Sequence, residues 1–150
     1  MSGEGSPEFS LDASGLKVAV VYSSWHQSII DGLLAGTKKA LEQSGCDQYS
    51  FHAVPGAFEL SLAASKLVDT HDAVIALGVV IRGDTPHFDY VCSSATEGLT
   101  KVMLDSQTPI GFGLLTVDNE QQALDRSGEN KDNKGIESTL AALKMAIDFK

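Results

Sequence analysis

The five residues Gly83-Asp84-Thr85-Pro86-His87 combine an anion cradle with a proton carrier in the span of one loop. Gly83 allows a close backbone approach and Thr85 adds a hydroxyl donor. The start of the helix expected next supplies free N–H groups and the positive end of a dipole. His87 stands beside that anion site, and an imidazole with an ordinary pKa of about 6.5 suits general acid/base work at neutral pH. The loop has neither a Walker lysine nor the spacing of a dinucleotide fingerprint, so taken alone it also fits an ordinary strand-to-helix turn with a Thr cap.

A few other side chains could join it. Glu59 stands at an expected helix start, where a carboxylate either serves the dipole or reaches into a pocket to bind hydroxyls. Trp25 closes the first strand outside any apolar stripe, which favours ring stacking over core filling, and His26 beside it could line the same pocket. Phe112 lies between two glycines within a strand, which clears space around its ring. Arg126 and Lys134 are further cations, in a polar stretch (DRSGENKDNKG) that by itself reads as a solvated loop. His52 falls inside a strand and His71 in a loop; with His26 and His87 they show no metal-ligand spacing, so no metal site is expected. Cys46 and Cys92 are likewise far apart and read as inert core thiols of a reducing compartment, the cytoplasm.

These residues need elements to hold them. Lys17 to Ser23 (KVAVVYS), Gln48 to Val54, Ala73 to Ile81 (AVIALGVVI) and Pro109 to Thr116 read as strands. The third is apolar on both faces, as a central strand covered by helices must be. Helices are expected from about Gln27 to Ser44, with Gly45 as a C-cap, and from Phe58 to Val68, with Phe58, Leu62 and Leu67 inward. Others follow from Phe88 to Leu104, from an Asp118 N-cap through Asp125, and from Gly135 to Phe149. The alternation predicts an α/β fold: a three-layer αβα sandwich around a four-stranded parallel sheet, flavodoxin-like, with right-handed crossovers. Ligands of such sheets bind at the strands' carboxyl ends, here Ser23 to His26, Val54 to Glu59, Ile81 to His87 and Phe112 to Thr116.

The 150-residue length suits one domain. A formal charge of -9 has the wrong sign for nucleic acid or an anionic membrane surface. No apolar run approaches a membrane span, and no basic-then-apolar leader opens the chain. The first nine residues, MSGEGSPEF, read as an expression-tag remnant, leaving 10–150 as the domain.

Three stretches, VPGAFEL (54–60), DAVIALGVVIRGDTPHFDYVC (72–92) and FGLLTVDNEQQALDRSGENKDNKG (112–135), closely resemble the lumazine synthase family, and the likeness runs from about Leu11 to the C-terminus. The resemblance implies condensation of 5-amino-6-ribitylamino-uracil with 3,4-dihydroxy-2-butanone 4-phosphate to 6,7-dimethyl-8-ribityllumazine, a step of riboflavin biosynthesis, with no cofactor. It implies that Gly83, Asp84, Thr85 and Arg126 bind the phosphate and that His87 moves protons. It makes Trp25 the partner stacked on the pyrimidine, Gly56 to Glu59 (with Ala57 and Phe58) the ribityl contact, and Val79, Val80 and Ile81 main-chain contacts to the ring. Phe112, Arg126 and Lys134 would reach the neighbouring subunit's site. Many members carry Asn where this chain has His26. The implied assembly is a homopentamer, with decamers or sixty-subunit capsids as alternatives and riboflavin synthase as a candidate partner. Two rivals stand beside this reading: an idle flavin- or lumazine-binding protein on the same fold, and a different flavodoxin-like module. A receiver of the second kind needs an acidic cluster where Ser23-Ser24-Trp25 stands.

Overall fold

A computed structural model describes residues 4–8 and 10–150. Of the nine residues read as a tag remnant, 1–3 and 9 lie outside the described residues, and 4–8 are exposed. The elements run β1 (Lys17–Ser23), α1 (Gln27–Gln43), β2 (Gln48–Val54), α2 (Leu60–Leu67), β3 (Ala73–Ile81), α3 (His87–Ser106), β4 (Ile110–Val117), α4 (Glu120–Asp125) and α5 (Lys134–Asp148). Single 3-10 turns, Ala57–Glu59 and Val68–Thr70, flank α2.

The four strands form one all-parallel sheet in the order β2-β1-β3-β4. The period of two along each strand splits its side chains between two cores. Ile75, Leu77 and Val79 join Val18 and Val20 beneath α1 and α5, against Ile29, Ile30, Leu33 and Leu143. Val74 and Ala76 join Ala19 and Val21 on the opposite face, against Leu60, Ala64, Ala95 and Leu99 of α2 and α3. Each large apolar side chain fully buried this way contributes about 1.5–3 kcal/mol. The expected three layers and central strand are therefore present, with β3 buried along its first seven residues.

Two local expectations are overturned. Phe58 and Leu62 do not point inward; they are 63% and 67% exposed, while Ala57, Leu60, Ala64 and Val68 make the buried face and Ala63 and Leu67 pack at its margin. Both faces of this segment are apolar, and close approach to α3 selects the one with the smaller side chains. A Cβ on Gly98 of α3 would stand 2.8 Å from Ser61 Cβ, so there is no room for large groups between those helices. Asp118 is not the N-cap of α4 either. That place belongs to Asn119, whose Oδ1 accepts the N–H of Gln122 at 3.0 Å. Asp118 instead accepts a hydrogen bond from Arg82 Nε at 2.8 Å.

Candidate active site

Order β2-β1-β3-β4 makes the chain reverse direction across the sheet between β1 and β3, and the helices that follow those strands leave on opposite faces. Such a switch point opens a crevice at the carboxyl ends. The crevice here is a cleft of about 490 Å³ lined by Trp25, His26, Gly56, Ala57, Phe58, Glu59, Val79, Val80, Ile81 and His87, with Pro55 and Val91. Ten residues singled out from the sequence thus meet in one place.

Local hydrogen bonds hold its walls. Ser24 Oγ donates to the Val54 carbonyl at 2.7 Å and Ser24 N–H to Pro55 at 3.3 Å, which ties the β1 exit to the β2 exit. Trp25 lies beyond the end of β1 rather than on it, with its indole edge against Gly56: a Cβ there would sit 3.4 Å from Trp25 Nε1. The ring is 67% exposed, one face open. Glu59 Oε2 accepts the Gly56 N–H at 2.9 Å, the glutamate half of a capping box, while the Glu59 N–H donates to the Gly56 carbonyl at 3.2 Å, closing the turn Ala57–Glu59. The cap uses one lone-pair direction of that carboxylate; its remaining acceptor sites are available to hydroxyls. His26, in the left-handed region at φ 61, heads α1, and its carbonyl accepts from Ile29 and Ile30.

At the third exit, Gly83, Asp84 and Thr85 are exposed and, among the described residues, their amides and side chains have no partner within the chain. His87 is the first residue of α3, one position earlier than the sequence suggested. The loop is gripped at both ends. Arg82 N–H donates to Val117, its guanidinium holds Asp118, and that same guanidinium lies 4.4 Å over the Phe88 ring with Asp89 at 3.6 Å. The loop is therefore held by neighbours at its ends while its amides stay exposed and unpartnered, an arrangement suited to an anion. Cys92, further along α3, does not line the cleft, and burial, with Asp89 adding, pushes its thiol above the usual range.

The remaining sequence candidates are elsewhere. Phe112 is the third residue of β4, paired with Ala76 at mid-strand rather than at a carboxyl end. With Lys134 it lines a second cleft of about 570 Å³, together with Met103, Leu104, Ile110, Glu137, Met145 and Phe149. Lys134 Nζ pairs with Glu137 at 3.1 Å. Arg126 lines neither cleft; half-buried at the end of α4, it donates from Nη1 to the Gln122 carbonyl at 2.9 Å. One chain therefore separates Trp25, Glu59 and His87 from Phe112, Arg126 and Lys134. Sequence reading missed Glu137, whose spacing of three from Lys134 was its only signal, and Asn133, whose signal was its place before the apolar repeat of α5.

Fold and site together define an α/β protein with a crevice at a topological switch point, lined by an imidazole and an exposed indole and followed by an exposed loop with unpartnered amides. A family model for 6,7-dimethyl-8-ribityllumazine synthase matches residues 15–150. The chain is 58% identical to the 6,7-dimethyl-8-ribityllumazine synthase of Kineococcus radiotolerans, covering 98% of this chain and 93% of that protein. It is 53% identical to the enzyme of Nocardioides sp. over 100% and 96%, and 51% identical to that of Mycobacterium leprae over 97% and 92%. The chain belongs to the 6,7-dimethyl-8-ribityllumazine synthase family, transferases of riboflavin biosynthesis.

Proposed function

We propose that this chain condenses 5-amino-6-ribitylamino-uracil with 3,4-dihydroxy-2-butanone 4-phosphate, releasing phosphate and water to give 6,7-dimethyl-8-ribityllumazine. One observation carries the reading: His87, at the end of the loop whose Gly83 to Thr85 amides are unpartnered among the described residues, lines the same cleft as Trp25 and Glu59. The pyrimidine stacks on Trp25 and meets the main chain of Val79 to Ile81, and the ribityl hydroxyls reach Glu59, Gly56 to Phe58 and His26. The phosphate sits on the loop, where its charge is met by N–H dipoles and an arginine fork. His87 carries protons as the amine adds to the ketone, as phosphate departs and as the ring closes, a role typically worth 10²–10⁴ in rate. Holding two reactive partners together supplies much of the rest.

Phe112, Lys134 and Arg126 complete that site from an adjacent copy. Support comes from their separation from the cleft within one chain and from the exposed apolar residues Phe58, Leu62, Tyr90, Leu104, Met145 and Phe149. Head-to-tail contacts of this kind close into rings when the rotation between copies returns on itself. The assembly is a homopentamer in the cytoplasm, a location in keeping with two free thiols. Light scattering should give about five chain masses of 15.9 kDa, and a particle near a megadalton would replace the pentamer with a capsid. The working domain is 10–150, since Leu11 and Ala13 are the first side chains to join the core.

Mixing the two substrates should produce lumazine fluorescence, and His87→Ala should lower kcat by about a hundredfold or more with product affinity retained. Binding of the product without any turnover by the parent chain would favour the idle binding protein on this fold.

A further inference from the structure

The stretch 126–134, which carries Arg126 and Lys134 at its two ends, has the composition of a solvated loop but not its packing. Asn133, one residue before the end of the stretch, is 2% exposed. Its Nδ2 donates to the carbonyls of Gly128 at 2.9 Å and Gly32 of α1 at 3.1 Å. Its Oδ1 accepts the N–H of Gly135 at 2.8 Å and of Ile136 at 3.3 Å, capping α5. All four hydrogen-bonding positions of the amide are filled, and the two carbonyls on one side and two N–H groups on the other fix which way it points.

The seat on α1 is shaped for this residue. A Cβ on Gly36 would overlap Asn133 Oδ1 and stand 2.6 Å from its Cγ, and a Cβ on Gly32 would overlap the Ser127 carbonyl. The stretch then closes on itself, with Lys134 N–H donating to the Arg126 carbonyl at 2.8 Å. Arg126 and Lys134 are thereby joined by their backbones and tied to the helix that follows β1 by the Asn133 amide, with Thr37 Oγ1 of that helix donating to the Gly135 carbonyl at 3.2 Å alongside.

We infer that Asn133, seated on the Gly32–Gly36 face of α1, is a positioning residue that holds Arg126 where the phosphorylated substrate binds. The inference rests on the phosphate role given to Arg126 above. It separates the two jobs of Asn133: capping α5 needs only an acceptor, whereas anchoring the loop needs both donors and the length of the amide.

One variant divides those jobs, and a second evicts the whole amide, cap acceptor included, from its seat. In Asn133→Ser a hydroxyl still caps α5 but cannot reach Gly32 or Gly128. Gly36→Ala improves the helix propensity of α1 while blocking the seat. Each should assemble to the parent mass by light scattering. Each should raise KM for the phosphorylated ketone, and the inhibition constant of inorganic phosphate against it, by about tenfold, the size of one or two net hydrogen bonds. KM for the ribitylaminopyrimidine should stay within about twofold, and in hydrogen exchange the Lys134 amide should exchange faster. Unchanged KM for the ketone, or an equal rise in both KM values, overturns the inference. Arg126→Ala, run alongside, checks the reading beneath it: if that variant binds ketone and phosphate normally, the phosphate role is wrong. The anchor is then judged by Lys134 exchange alone, with faster exchange in both variants supporting it and the parent rate refuting it.

Discussion

Trp25 is two-thirds exposed, so replacing it should separate binding from stability. Trp25→Ala should leave the melting temperature nearly unchanged, as surface substitutions do, while raising KM for the pyrimidine about tenfold through lost stacking. Trp25→Phe, which keeps a face, should recover most of that. A large fall in melting temperature with KM intact would make Trp25 a packing residue. This position, like Glu59 and His87, was legible in the sequence because each lies just after a strand, where ligands of parallel sheets bind. Phe112 was not: glycines on both sides marked its ring as unusual, but only the register with Ala76 shows that it stands at mid-strand, away from the cleft. Glu59 shows a further ambiguity that sequence cannot resolve, since one carboxylate serves both a capping box and a pocket wall.

Strand positions could be read to within a residue because β1 and β3 are continuous apolar runs and their ends are punctuated by polar residues. The α2 segment was read inside out for a physical reason: its larger side chains were assigned to the core, whereas the narrow space beside α3 admits only the face with Ala57, Leu60 and Ala64. The start of α4 is a closer contest between adjacent acceptors. Asn119 holds the Gln122 N–H, and Asp118 is drawn off by Arg82, a partner thirty-six positions away that local propensity does not register. Asn119→Ala should therefore remove the cap and lower the melting temperature by roughly 2–4 °C, the shift for about 1 kcal/mol in a chain of this size. Asp118→Ala should leave α4 capped and the melting temperature within about 1 °C of the parent, because its ion pair with Arg82 is solvent-exposed. The opposite order in thermal melts would return the cap to Asp118.

The two clefts of one chain make each other intelligible. One holds an open indole, a carboxylate and an imidazole; the other holds Phe112 and Lys134, with Arg126 apart from both. If adjacent copies join these halves, damage to one half can be repaired by a neighbour damaged only in the other. Co-expressed Trp25→Ala and Arg126→Ala chains, each nearly inactive alone, should give hybrid rings in which a site is whole when an Arg126→Ala copy supplies the indole and a Trp25→Ala copy supplies the arginine. Random mixing in equal amounts makes about a quarter of the junctions in a closed ring intact, so activity should rise to about a quarter of the parent's. Native mass spectrometry would confirm that both chains share a ring. Hybrids that contain both chains and yet show only the summed activity of the two parents would mean that each site is built within a single copy. The outward apolar residues Phe58, Leu62 and Phe149 would then need another explanation for their exposure.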